Sequence, residues 1–247
     1  MTILIPAFEP NIRLVDLVSS LKQACDYAVI VVDDGSGSAF RPVFDKVRTL
    51  GCTILTYSVN CGKGRALKTG FEYILKHTEE KTGVVTADAD GQHTVPDIIR
   101  VAKEIPLVPD QVVLGSRRFT GRVPIRSRIG NSITRIVFTM ASGNRVYDTQ
   151  TGLRDIPISL IPWMLKIDGE RFEYEMQVLL EVGPSGYGFR QIIIETVYRP
   201  ENSSHFHTVR DSIHLCFPFL KFCMSGIISA VADYILLFLF QWMIGSL

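Results

Sequence analysis

Charge of one sign is missing from this sequence. Its 26 Lys and Arg stand against 25 Asp and Glu, for a net charge of +1. That balance excludes a chain that holds nucleic acid by bulk electrostatics. Cysteine is scarce as well. The five, at positions 25, 52, 61, 216 and 223, are odd in number and form no CxxC pair. Neither a disulfide framework nor a zinc site is expected, and a reducing compartment suits them better. No internal repeat and no low-complexity tract is present. Nothing at the start reads as a signal peptide, because Met1 runs straight into the strand-like TILIPAF. Long apolar runs are absent too, with one exception.

The exception lies at the end and lifts the mean hydropathy to +0.21. Residues Phe222 to Ile244, FCMSGIISAVADYILLFLFQWMI, hold a single charged side chain, Asp233. As a helix the run would reach roughly 34 Å at about 1.5 Å per residue, enough for a bilayer core of about 30 Å. A buried helix of a soluble domain is the plainer alternative, but the run shows no polar face. It therefore reads as a transmembrane helix. Lys221 and Arg210 precede it and no basic residue follows, so the positive-inside rule puts residues 1–221 on the cytoplasmic side. Just upstream, Phe206, Val209, Ile213, Cys216 and Leu220 recur at spacings of three and four, as in an amphipathic helix lying on a membrane, which Pro218 must interrupt.

From Met1 to about Arg199, apolar runs alternate with helical patterns. TILIPA, YAVIVVDDGS, CTILTY, GVVTA, QVVLGS and FRQIIIETVYRP read as strands. Leu14, Leu17, Val18 and Leu21 mark one helix, and Leu67, Phe71, Ile74 and Leu75 another. Pro96 opens a short one; residues 128–141 and FEYEMQVLLEV make two more, the last stopped by GPSGYG. Strands alternating with helices predict an α/β fold with a largely parallel sheet. Ligands of such folds gather at the carboxyl ends of strands, which is where DDGS, DADGQH and GSRR begin.

Four polar constellations follow. In DADGQH, Asp88 and Asp90 point to the same side of an extended segment. Converging carboxylates repel, and a hard divalent cation shared with a phosphate would relieve them. Taken alone, the pair also fits a solvated acidic loop. In VVDDGSGS, Phe40 stands where a dinucleotide fingerprint needs its third glycine, so that reading is rejected. A strand-end carboxylate here suits a nucleobase or ribose, and plain turn chemistry suits it equally. NCGKGRALKTG sets Lys63 between glycines at a helix start, a place that favours phosphate, although it lacks Walker spacing. GSRRFTGRVPIRSRIGN holds Arg117, Arg118, Arg122, Arg126 and Arg128, with Arg135 after it. Their planar forks suit phosphate oxygens or anionic headgroups; a solvated basic loop is the plain alternative.

The order PAFEP, DDGS, NCGKGRALKTG, DADGQH, GSR, DTQTG, FEYEM resembles the family 2 inverting glycosyltransferases of the GT-A fold. Within them it is similar to the polyprenyl-phosphate branch, that of dolichyl-phosphate mannosyltransferase and bactoprenol glucosyltransferase. The resemblance covers about residues 1–210. The tail, KFCMSGIISAVADYILLFLF, resembles the first helix of the small GtrA-type membrane domain, which normally has four. The implied organisation is a Rossmann-like GT-A domain over 1–204, an amphipathic segment over 205–220, and an incomplete GtrA-like span over 221–247.

The resemblance also implies roles. Pro6, Ala7 and Phe8 would line the nucleotide pocket, and Val32 and Asp34 would contact the base. Asp88, Ala89, Asp90 and Gln92 would hold Mg²⁺ or Mn²⁺ and the diphosphate, with Asp88, Asp90 and Gln92 as the metal set. Lys63 and Arg117 would bind phosphate, and Arg199 and His205 would close over it. Asp148, Gln150 and Glu175 would face the sugar. Asp148 is the first and Glu175 the second candidate to orient the acceptor, and Asp90 completes the catalytic set. Arg126 and Arg128 would take the acceptor phosphate. Where the family often has Pro-Ala-Tyr-Asn-Glu, Glu9 here comes one place early and Pro10 follows it.

The implied reaction moves glucose or mannose from UDP-glucose or GDP-mannose to undecaprenyl or dolichyl phosphate, with inversion, at the cytoplasmic face of a membrane. A second copy of the chain is a further candidate partner; nucleic acid is not. A family 2 transferase with a polysaccharide or soluble acceptor is the main alternative. A nucleotidyltransferase has no use for DTQTG and FEYEM, and a non-catalytic scaffold none for an intact DxD and GSR.

Overall fold

The computed structural model describes residues 1–79, 82–117, 138–139, 145–195, 224, 226, 228–238 and 240–241. Its frame is a seven-stranded sheet with strand order β3-β2-β1-β4-β6-β5-β7. The strands are β1 Thr2–Ala7, β2 Ala28–Asp33, β3 Thr53–Thr56, β4 Gly83–Thr86, β5 Gln111–Arg117, β6 Arg154–Pro157 and β7 Gly188–Ile194. β1 pairs in parallel with β2 and β4, β2 with β3, and β5 with β7. β6 alone runs antiparallel, wedged between β4 and β5. All other strands therefore end on one edge of the sheet.

The helices are α1 Ile12–Ala24, α2 Arg41–Thr49, α3 Lys63–His77, α4 Val95–Ala102 and α5 Glu173–Val182, with a short helical turn over Ile158–Met164 before α5. Helical periodicity turns apolar residues to one face. In α1 that face is Leu14, Leu17, Val18 and Leu21, all buried, and the Asn11 side chain caps the helix by accepting from the Arg13 N–H at 3.0 Å. These residues join Ile3, Ile5, Val29, Val31, Val85, Ile98 and Val101 in one core. In α3, Leu67, Phe71 and Ile74 are buried as expected. Leu75 is not: it is 40% exposed, one step past Ile74 and off the apolar stripe. α3 packs closely on β1, because a Cβ at Gly70 would meet the Leu4 side chain at 2.2 Å.

Three elements carry no expectation in the sequence reading: α2, β6 and the helical turn over Ile158–Met164. β6 reads RDIP, two charged residues in four, yet all four are buried. The strand makes the sheet mixed. Of the helix expected over 128–141, only Phe138 and Thr139 are described, and both are helical.

The chain divides into two compact units, Met1–Phe206 and His207–Leu247. The amphipathic helix expected over 205–220 lies outside the described residues. Of the span expected over 221–247, residues 224, 226, 228–238, 240 and 241 are described, and these are helical and exposed. Among the described residues no helix is long and apolar enough to cross a membrane. The expected span is thus not supported by the described part of this unit.

Candidate functional site

The shared strand edge carries the polar motifs. Each strand end is stitched to its neighbour by backbone: the Asp34 N–H donates to the Ala7 carbonyl, Ala87 to Leu4, and Tyr57 to Asp33. Residues 7–8, 33–34, 57 and 87–88 therefore line one rim. The NCGKG turn reaches the same rim. Gly62 has φ +105°, and a Cβ there would lie 2.5 Å from the Glu170 carbonyl oxygen, so only glycine lets the chain turn here against the 170–171 backbone. The turn delivers Lys63 as the first residue of α3.

Lys63 is the centre of a chain of ionisable groups. Its Nζ lies 2.8 Å from Asp88 Oδ1 and 2.7 Å from Glu175 Oε2. The other Asp88 oxygen meets His93 Nε2 at 3.2 Å. Glu175 Oε1 lies 3.8 Å from Arg154 Nε. Arg154 is itself pinned, donating from Nε to the Thr151 carbonyl at 3.0 Å and from Nη1 to the Glu175 carbonyl at 2.8 Å. Burial pulls the Lys63 amine toward neutrality, but Asp88 and Glu175 outweigh it and hold the group firmly charged. Burial likewise favours a neutral Asp88, yet Lys63 and His93 outweigh it and hold that carboxyl well below the usual range.

Asp90 behaves in the opposite way. Burial and the neighbouring Asp88 charge raise its pKa, against the pull of the Gln92 backbone N–H, which donates to Asp90 Oδ1 at 3.0 Å. Ala89, between the two carboxylates, packs against the core. Among the described residues no group of three or more His, Cys, Asp or Glu could hold a metal ion by itself. A carboxylate crowded by a like charge is nonetheless what a cation relieves. The residues fit a divalent ion that Asp90 would hold, while the Asp88 oxygens are engaged by Lys63 and His93.

Arg117, at the end of β5, is fixed by Asp148. Arg117 Nε donates to Asp148 Oδ2 at 2.6 Å and Nη2 to Oδ1 at 3.2 Å, a two-point pair. The Arg117 and Gln150 backbone N–H groups also donate to this carboxylate. Asp148 is completely buried. Gln150 itself is exposed. The same loop touches the DxD: a Cβ at Gly152 would lie 2.4 Å from both Asp88 carboxylate oxygens.

At the far side of the rim, Asp34 is also buried, and its oxygens accept the Cys61 and Gly62 N–H groups, each at 2.8 Å. Burial raises its pKa, and these two hydrogen bonds oppose the rise. Its neighbour Asp33 accepts the Ser36 N–H at 2.9 Å, and the Ser36 hydroxyl accepts the Glu9 N–H at 2.8 Å. Pro6 and Ala7 are buried at the end of β1, Phe8 is half-buried beyond it, and Val32 is fully buried within β2.

The structure thus brings Lys63, Asp88 and Glu175 into direct contact, with Asp90 two residues on, and it pairs Arg117 with Asp148. Arg126, Arg128, Arg199 and His205 lie outside the described residues. Three functional neighbours escape the sequence reading. His93 resembles a loop residue there, but it is buried against Asp88. Arg154 sits in the unforeseen β6. Gly152 is marked only by the glycine of DTQTG.

A profile described as Glycosyl transferase family 2 matches residues 2–161. An uncharacterised protein of Methanocaldococcus jannaschii is 26% identical over 201 residues, covering 79% of this chain and 81% of its own. The UDP-N-acetylglucosamine–dolichyl-phosphate N-acetylglucosaminyltransferase of Methanococcus voltae is 24% identical over 217 residues, covering 79% and 85%. Among solved structures, glucosyl-3-phosphoglycerate synthase of Mycobacterium tuberculosis, bound to Mn²⁺, UDP and glucosyl-3-phosphoglycerate, superposes with a TM-score of 0.61. It covers 81% of this chain and 72% of its own at 17% identity, a likeness of fold.

Proposed function

The chain belongs to glycosyl transferase family 2, and we propose that it moves a hexose from a nucleotide diphosphate to the phosphate of a polyprenyl lipid, with inversion. The observation that carries this reading is the convergence of Asp88, Asp90, Lys63 and Arg117 on one strand edge. Lys63 stands beside the Asp88 carboxylate, and Arg117 ends a strand on the same edge. The Methanococcus relative, named for a dolichyl-phosphate acceptor, supports the lipid. So do the exposed apolar side chains between Met224 and Phe240, which suit a chain working at a membrane, with residues 1–221 on the cytoplasmic face.

The pocket for the nucleotide is the rim formed by residues 6–8 and 32–34. Lys63 and Arg117 bind the diphosphate and take up charge as the sugar–phosphate bond breaks. Mg²⁺ or Mn²⁺, held by Asp90, supplies further neutralisation of the leaving group when bound. An acceptor phosphate oxygen attacks the anomeric carbon, the bond from that carbon to the diphosphate oxygen breaks, and the nucleotide diphosphate leaves with the electron pair. A phosphate monoester, with a second pKa of about 6, is already largely dianionic at pH 7, so no side chain needs to take a proton. Asp148 acts by holding Arg117, and Glu175 faces the sugar and acceptor.

A soluble phosphorylated acceptor is the second reading, favoured by the fold likeness to a synthase whose product is a glucosyl phosphoglycerate. One assay separates the two. UDP-glucose, GDP-mannose and UDP-N-acetylglucosamine are each offered with undecaprenyl phosphate, dolichyl phosphate or 3-phosphoglycerate, with Mn²⁺, and products are read by mass spectrometry. A glycolipid phosphate is expected. Transfer to 3-phosphoglycerate alone favours the second reading, and transfer to none sinks both.

A further inference from the structure

Lys63 occupies a cationic position that the proposed donor complex also needs. Its side chain is 17% exposed and touches Asp88 at 2.8 Å and Glu175 at 2.7 Å. The far oxygen of Asp88 meets His93 Nε2 at 3.2 Å, so that carboxylate keeps a partner if the amine moves away. Glu175 Oε1 is buried without a hydrogen-bond partner and has only Arg154 Nε, 3.8 Å away, as a counter-charge. The usual cost of breaking a buried pair is therefore reduced at Asp88 and falls on Glu175. A lysine is also a point charge on a flexible stem, suited to changing partners without a fixed fork geometry.

We infer that Lys63 is an exchangeable counter-ion: without donor it neutralises Asp88 and Glu175 together, and the donor diphosphate draws it off both. Two consequences follow, and both rest on the reading that a metal-bound nucleotide sugar is the donor. First, the donor-free protein binds the divalent ion weakly, because the ion must settle beside a fixed positive charge. Secondly, Glu175 becomes available to the acceptor only after the donor has engaged Lys63.

The test is a Mn²⁺ titration followed by electron paramagnetic resonance, with and without UDP, on the whole chain. Removing one unit charge within a few ångströms of a divalent ion, at the effective dielectric of a partly buried site, is worth at least about tenfold in affinity. Donor-free Lys63→Met should therefore bind Mn²⁺ about tenfold more tightly than the parent, and UDP should tighten Mn²⁺ binding less in the variant than in the parent. Lys63→Arg, which keeps the charge, should bind Mn²⁺ like the parent. Thermal melting checks folding, and Lys63→Gln carries the same measurement if the Met variant does not fold. Equal or weaker Mn²⁺ binding by a folded neutral variant overturns the inference. Failure of the parent to bind Mn²⁺ even with UDP overturns the donor reading instead.

Discussion

Asp34 and Asp88 end neighbouring parts of the same rim, and both have their two oxygens engaged. Their partners differ in kind. Asp34 holds two backbone N–H groups, from Cys61 and Gly62, and those donors cannot leave without unfolding the turn. Asp88 holds two side chains, Lys63 and His93, which can change partners while the backbone stays in place. One carboxylate is scaffold; the other is working surface. The difference implies that similar aspartates at similar strand ends will answer mutation in different currencies, stability at Asp34 and chemistry at the DxD.

The strongest way to break that contrast is at Asp90. Asp90→Ala removes the carboxylate placed to hold the cation, along with a buried like charge next to Asp88. Sugar transfer is expected to fall by at least about a thousandfold, roughly 4 kcal/mol of barrier, while the melting temperature stays level or rises. Initial rates and a thermal melt on one preparation check both. Retained transfer, or collapse of the fold, would show that the DxD end is scaffold too.

At the other end, Asp34→Ala leaves two backbone donors unsatisfied where the turn meets β2. A loss of about 3 kcal/mol is expected, a drop of roughly 6–12 °C for a chain of this size. Asp34→Asn keeps one acceptor and should lose about half as much. Calorimetry of the two variants decides it. If both melt like the parent, the backbone hydrogen bonds do not hold the NCGKG turn in place.

How much of this was legible beforehand depends on which contacts are local. The α1 stripe and most of the α3 stripe follow from a 3.6-residue period, and the strand ends bearing DDGS, DADGQH and GSR from short β-branched runs. Leu75 misleads because it adjoins a truly buried Ile74. β6 is illegible because RDIP looks like a surface turn; Arg154 is tolerated there only through Thr151 and Glu175, the latter 21 residues away. Asp148 of DTQTG reads, through the family resemblance, as a candidate to orient the acceptor. Its tie to Arg117, 31 residues earlier, appears only when β5 is laid beside that loop. Periodicity is local information, and ion pairing across the sheet is not.

Gly152 probes how rigidly the working surface is held. Its carbonyl accepts the Thr86 hydroxyl at 2.8 Å, which fixes the loop, and an added Cβ would press on both Asp88 oxygens. Gly152→Ala should tilt the Asp88 carboxylate off Lys63 and misplace the diphosphate. A loss of roughly thirtyfold in kcat/KM is expected, of the order that small misplacements cost, with little change in melting temperature. Unchanged kinetics would mean that the Asp88 side chain yields freely and its present pose is not needed.

The smallest effect sharpens the contrast within the DxD itself, because the two carboxylates carry opposite pKa shifts. Asp90 is raised by burial and by Asp88. Its stabilising contribution is therefore present below the unfolded carboxyl pKa, about 3.9, and is lost as pH rises through the folded value. Asp88 is lowered by Lys63 and His93, which outweigh burial; its contribution is present above the unfolded pKa and lost as pH falls through the folded one. In metal-free buffer Asp90→Asn should thus melt above the parent at pH 7, by roughly 2–4 °C for about 1 kcal/mol, and the gain should vanish below about pH 4. Asp88→Asn should melt below the parent at pH 7, with the deficit shrinking only in stronger acid. Thermal melts of both variants from pH 3 to pH 7 with a chelator read the two signs directly. Shifts of the same sign would mean that Asp88 and Asp90 share one environment, and that the division between a carboxylate held by side chains and one left for the cation does not exist.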